Sequence, residues 1–268
     1  MVTLVLPRLL VPGPGRRSMS MVERNVATLR GAYWIVVVSG LLEPVFYLLS
    51  IGLGVGSLVG DIALPGGQAV SYASFVAPAM LAASAMTGAL SETTFNFFGK
   101  YKFMRLYDGI IATPVRPMEI AFGELTWAMV RGSVYAAAFL VLMVAMGLTT
   151  PGLAAVALPA VILTGFAFGA SGLALSTFMR SWQDFDIMSS AQFALFLFSG
   201  TFVPAESYPA VLRWVVELTP LYRSVDLIRG ITTASWGWVQ LLDVVYLVLL
   251  FVVGVFVAGR RMERLLCR

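Results

Sequence analysis

The chain reads as an all-α integral membrane protein with six transmembrane helices, on three observations. Of its 268 residues, 59% are hydrophobic and only 12% charged, with a mean hydropathy of +0.87. A soluble domain of this length carries roughly 25% charged residues, so the missing polar surface must face lipid. Six segments also approach the roughly 20 apolar residues that a helix needs to cross a bilayer. When those segments alternate across the membrane, 14 of the 18 basic residues fall on one side, the asymmetry that fixes cytoplasmic loops.

Residues 1–31 are expected to be a basic, cytoplasmic N-terminus. The apolar stretch Val2 to Val11 is broken by Pro7 and Arg8 and has no small-residue cleavage site, so it does not read as a secretory signal. Ser18 to Arg30 can form an amphipathic helix along the membrane surface. Residues 32–258 form the six-helix transmembrane domain, with spans expected at Ala32–Val55, Tyr72–Leu90, Leu125–Leu148, Leu153–Phe178, Ile187–Val203 and Trp236–Ala258. Residues 259–268 are a basic cytoplasmic tail. An even span count with both termini cytoplasmic makes this a multi-pass protein of the plasma (inner) membrane.

Several functions are excluded by what the chain lacks. It has no histidine, which removes the commonest general base and metal ligand, and its single cysteine, Cys267, can build neither a disulfide framework nor a thiolate metal site. No metal site is expected. Gly99-Lys100 is followed by Tyr101 and has no upstream glycine at the right spacing, so no phosphate-cradling loop is present. No catalytic residues and no cofactor are expected in this chain, nor any nucleic-acid partner.

Two long hydrophilic interruptions carry the specific information. In residues 91–124, Phe95, Phe98, Lys102, Arg105 and Leu106 recur at helical spacing, with Phe97, Tyr101 and Met104 widening the apolar side. A short amphipathic helix of aromatic and basic residues suits either the lipid interface or a groove on a partner. Thr113-Pro114 and Arg116-Pro117 then break it, and a helical pattern resumes from Glu119. In residues 204–235, Pro204, Pro209 and Pro220 punctuate two short helical patterns. Irregular backbone at membrane depth survives only inside protein or beside water, so a broken helical pair dipping into the outer leaflet is expected.

Both segments resemble the ABC-2 type transporter permeases, in particular the nodulation-factor and daunorubicin-type exporter branch. The first is similar to that branch's R-x-Y-D-x-[ML]-x-[AV]-T-P run at Arg105, Tyr107, Asp108, Ala112, Thr113 and Pro114, with Ile110 in place of the usual Met or Leu. The second resembles a family pattern at Phe202, Pro204, Pro209, Leu212, Pro220 and Leu221, closed by Arg229-Gly230. Val215 and the early Tyr222 depart from it. The resemblance implies that the inner loop is a coupling helix whose residues Phe98, Lys100, Tyr101, Arg105, Tyr107 and Asp108 contact a separate ATPase. It further implies that the outer segment, with Pro204, Pro209, Pro220 and Arg229, forms re-entrant helices near the outer mouth of the pathway.

Three ionisable residues fall inside predicted spans: Glu43 before Pro44, Arg131 with Glu124 seven residues earlier, and Asp243. An ionised group at membrane depth costs several kcal/mol unless paired or hydrated. Either these three line a hydrated pathway, or Glu43 and Arg131 form an interhelical pair that fixes packing. Gly165, Gly169 and Gly172 give one small-residue face, suited to close helix packing within the chain or to a subunit contact.

The function implied is that of a half-transporter. It is the permease subunit of an ATP-driven exporter, working as a homo- or heterodimer with nucleotide-binding ATPase subunits that hold ATP and Mg. Its cargo would be an amphipathic drug, lipid or glycolipid, handled amid membrane lipids. A membrane-embedded lipid-modifying enzyme and a non-transport scaffold or sensor stand as alternatives.

Overall fold

The computed structural model describes residues 22–25, 42, 45–63, 69–111, 115, 117–235 and 237–266. Glu43 and most of the predicted interfacial helix lie outside the described residues, as do Thr113, Pro114, Arg116 and Cys267. Helix α1 covers residues 45–59, with Leu48–Val55 wound as a π-helix before a last α-turn at Gly56–Val59. A short antiparallel hairpin follows, β1 (Asp61–Ala63) on β2 (Ala69–Ser71), with Ile62 opposite Val70. The all-α expectation did not include it. Ser71 then caps the next helix, its Oγ accepting from the Ser74 amide at 3.3 Å.

Helix α2 begins at Tyr72 and does not stop at Leu90. Tyr72–Ser91 passes through π-turns at Glu92–Asn96 and Gly99–Phe103, so one continuous helix of 32 residues reaches Phe103. The separate amphipathic helix expected after residue 91 is therefore the last third of α2. Thr93 and Thr94 hydroxyls donate back to the Ala89 and Leu90 carbonyls at 2.8 and 2.6 Å, which lets the polar stretch continue helically while buried. Helix α3 (Leu106–Ile111) leads to α4 (Pro117–Ala145), which starts eight residues before the predicted third span. Helix α5 (Pro151–Ser176) matches the fourth, with Thr150 as its cap and Pro151 in its first turn.

The fifth predicted span is met by α6 (Asp184–Leu197), only 14 residues long and roughly 21 Å at the α-helical rise. It ends in a turn at Gly200 (φ +66°). A 3₁₀ turn at Ala205–Ser207, α7 (Ala210–Leu218) and α8 (Pro220–Thr232) follow, matching the expected broken helical pair. The last helix, α9, runs from Trp238 to Leu266, past the predicted end at Ala258 and into the basic tail. Among the described residues, four helices are long and apolar enough to cross a membrane: α2, α4, α5 and α9.

Helix α5 lies at the centre, against α9, α4 and α2. Its glycines explain how closely: an added Cβ at Gly165 would meet Met129, at Gly169 would meet Leu125, and at Gly172 would meet Thr93 and Leu90. The small-residue face thus packs within the chain. Helix α9 leaves Leu242, Leu249, Val253 and Phe256 uncovered along one side, the apolar surface a bilayer covers.

Candidate functional site

Three regions collect the chemistry-bearing side chains. At the basic end, α2 is held by two aromatic clusters. Phe98 is buried among Phe185, Trp182 and Phe103, with ring centroids 5.2, 5.4 and 6.0 Å away. Phe97 stacks on Tyr107 at 5.2 Å and packs with Ile120, Leu173, Ala258 and Met262. Tyr107 is wholly buried. Burial, and next the neighbouring Glu124 carboxylate, push its hydroxyl well above the usual tyrosine range. Of the predicted coupling residues, Phe98 and Tyr107 therefore cannot offer contact surface in this conformation. They shape the segment from inside.

What they leave exposed is the tip between the two helices. Lys102, Phe103, Met104 and Arg105 are all exposed, and Lys100 and Tyr101 half-buried. Arg105, two residues past the end of α2, has φ +45°, a left-handed conformation unusual for a side chain-bearing residue. Lys100 pairs with the buried Glu124 at 2.6 Å, and Arg24 reaches the same carboxylate at 3.2 Å. Lys102 donates to the Arg180 carbonyl. Asp108 belongs to α3, whose backbone alone is described there.

Midway along α2, α4 and α6, a cavity of about 540 Å³ opens. Its wall is mostly apolar, with Met80, Phe139, Phe193 and Phe196, and it carries one ion pair. Arg131 donates to Glu92 at 2.6 Å, with the Tyr135 ring 5.9 Å from its guanidinium carbon. Gln192 of α6 donates to the Thr87 hydroxyl of α2 at 2.9 Å, so a second polar bridge closes the same space. Arg131 thus lines the cavity and also pairs between helices. Its partner among the described residues is Glu92; Glu43 lies outside them, and Glu124 sits two turns away and serves Arg24 and Lys100. Glu92 went unrecognised because the sequence places it in a polar loop, whereas the structure puts it on a helix still inside the bundle.

At the opposite end, Arg229 is buried and holds three elements together. Its Nε donates to the Phe75 carbonyl at 3.1 Å, an Nη donates to the Gly200 carbonyl at 2.8 Å, and its guanidinium lies 3.7 Å from the Phe75 ring centroid. Pro204 precedes the 3₁₀ turn, Pro209 precedes α7, and Pro220 opens α8 behind the Thr219 cap. Asp243 of α9 is fully buried and accepts from Arg223 of α8 at 3.1 Å. It is not among the residues lining the cavity, so the three predicted intramembrane charges do not share one site. Among the described residues no group of three metal-ligating side chains occurs.

Comparison with known proteins gives this arrangement its family. Residues 18–233 match the model of the ABC-2 type transporter family. The chain is 32% identical over 222 residues to Nodulation protein J of Rhizobium leguminosarum bv. trifolii, covering 82% of this chain and 83% of the relative. It is 29% identical over 226 residues to Nodulation protein J of Rhizobium meliloti (strain 1021), covering 84% of each. The match spans the exposed tip, the cavity and the proline-punctuated helices alike, and the chain belongs to the ABC-2 type transporter family of multi-pass membrane permeases.

Proposed function

We propose that this chain is the membrane-spanning subunit of an ATP-driven exporter, pairing with a second permease copy and with ATPase subunits that carry ATP and Mg. Both termini and the Lys102–Arg105 tip face the cytoplasm, following the distribution of basic residues. The observation that carries the reading is the continuity of α2. One unbroken helix contributes Met80 to Glu92 to the cavity wall and Lys102 and Phe103 to the exposed tip. A load applied at the tip by a closing ATPase would move that wall directly. Lys100, Tyr101 and Arg105 would meet the ATPase, while Phe98 and Tyr107 transmit the load into α6 and α5. The cavity's apolar wall with one ion pair suits an amphipathic cargo.

The test is affinity purification of the tagged chain in mild detergent, followed by transport in reconstituted vesicles. Stoichiometric recovery of an ATPase subunit supports the reading. An Arg105→Glu variant should insert and fold normally but lose that partner or its coupled transport. Normal coupled transport by Arg105→Glu, or purification with no ATPase, opposes it.

A further inference from the structure

The contact between α8 and α9 contains two carboxylates and an unfilled hydrogen-bonding position. Arg223 and Asp226 lie one turn apart on α8, and Gln240 and Asp243 one turn apart on α9. Two hydrogen bonds set these turns face to face: Arg223 donates to Asp243 Oδ1 at 3.1 Å, and Gln240 Nε2 donates to Asp226 Oδ2 at 3.3 Å. Asp243 is fully buried, and its second oxygen, Oδ2, has no hydrogen-bond partner among the described residues. Asp226 stands one turn from Arg223, on the turn of α8 that these two bonds set against α9.

A buried carboxylate oxygen left bare forfeits its solvation without compensation, and two carboxylates set against each other cannot both ionise cheaply. Nearby donors are already committed. Arg223 serves Asp243 Oδ1, Gln240 serves Asp226, and Arg229, one turn beyond Asp226, donates to the Phe75 and Gly200 carbonyls. Tyr246 donates to the Leu218 carbonyl, and the Arg213–Glu217 pair of α7 is closed on itself. Helix α5, packed against both helices, has no ionisable side chain between Pro151 and Ser176. A single proton between the two carboxylates would satisfy the bare oxygen and relieve the repulsion together.

We propose that Asp226 and Asp243 form a proton-binding site in which one proton is held between them, clamping α8 to α9. Bound, the proton makes a carboxyl–carboxylate hydrogen bond across the helix pair. Lost, it leaves two like charges facing each other with one guanidinium to balance them. Arg229 lies on the same helix, so the clamp also steadies the turn at Gly200 and the start of α2.

Infrared difference spectra of the purified full-length chain, taken across a pH step and repeated in D₂O, read the protonated carboxyl directly. The expected result is a deuterium-sensitive carboxyl carbonyl band at neutral pH that disappears in both Asp243→Asn and Asp226→Asn. Asparagine at 243 keeps the shape of the protonated group and can donate to Asp226, so that variant is expected to fold. Absence of any such band in the unmodified chain overturns the proposal without recourse to a variant. A band that persists undiminished in either variant overturns it as well.

Discussion

Glu92 and Arg131 meet at 2.6 Å across the cavity wall, joining the middle of α2 to α4. Among the described residues this is the one ion pair on a wall that is otherwise apolar or carries uncharged polar groups. It answers the cost of placing Arg131 at membrane depth: the guanidinium stays charged because a carboxylate arrives from the next helix. The pair therefore fixes packing and sets the polarity of the cavity at once.

Glu92→Gln should leave Arg131 charged without its counterion. A fully buried pair broken on one side costs about 3–5 kcal/mol. The Arg131 side chain is 28% exposed, so a loss of about 1–3 kcal/mol is expected instead. The charge swap Glu92→Arg with Arg131→Glu should recover most of it, read as melting temperature in detergent. A swap no better than the sum of the single variants would show that the pair is not coupled.

Asp184 should make the start of α6 sensitive to acid. Its carboxylate accepts from the Arg180 amide at 2.6 Å and the Ser181 amide at 3.2 Å, tying down the turn that precedes the helix. Those bonds, the Arg180 amide first, hold its pKa below the ordinary carboxylate value. A lowered folded-state pKa contributes order that is present above the ordinary range and lost as pH falls through the lowered value. Hydrogen exchange at the Arg180 and Ser181 amides should accelerate only as pH falls below the ordinary carboxylate range, beyond the intrinsic pH dependence of exchange. In Asp184→Asn that acid-dependent change should vanish, with the amides less protected at neutral pH.

How far these features could be read beforehand depended on the range of the interactions involved. Apolar length located α2, α4, α5 and α9, because burying apolar surface in lipid acts on each segment alone. The proline punctuation located the break before α7 and before α8 for the same local reason. Pairing was not legible. Arg131 stood out as an expensive charge, yet its partner could not be named, since Glu92 joins it only because Thr93 and Thr94 let α2 run on past Leu90. The family resemblance assigns Phe98 and Tyr107 to an ATPase contact, and in the structure they are core, packed with Trp182, Phe185 and Ile120, residues distant in sequence. Periodicity reports which side of a helix is apolar, and it is silent on whether lipid, a partner or the chain itself covers that side.

Arg229 should be irreplaceable by another cation. Its fork reaches the Phe75 and Gly200 carbonyls together while its plane lies on the Phe75 ring. A lysine presents a point charge and cannot span both carbonyls. Arg229→Ala should cost roughly 2–6 kcal/mol, since two buried acceptors lose their donors at about 1–3 kcal/mol each. Arg229→Lys should recover only part of that. Thermal unfolding in detergent and proteolysis in the 198–209 connection measure both, and a lysine variant as stable as the parent would show that the fork geometry is unused.

Gly254 lets α9 lie directly against the backbone of α5, and its substitution tests that packing. A Cβ built there would lie 2.8 Å from the Ala170 carbonyl carbon and 2.9 Å from the Ser171 nitrogen, both backbone atoms of α5. Side-chain ends can swing aside, but a helix backbone moves only if α5 and α9 separate along their shared length. Overpacking of this kind costs about 1–3 kcal/mol for a single methyl, and a larger side chain should break the contact. Gly132→Ala on α4 is the matched control, because nothing lies within 4 Å of its added Cβ. There the gain in helix propensity, up to about 1 kcal/mol in water, should leave stability equal or slightly raised. Gly254→Ala should thus lower the melting temperature while Gly132→Ala does not. Equal effects of the two would mean that α5 and α9 do not approach as closely as the structure has them.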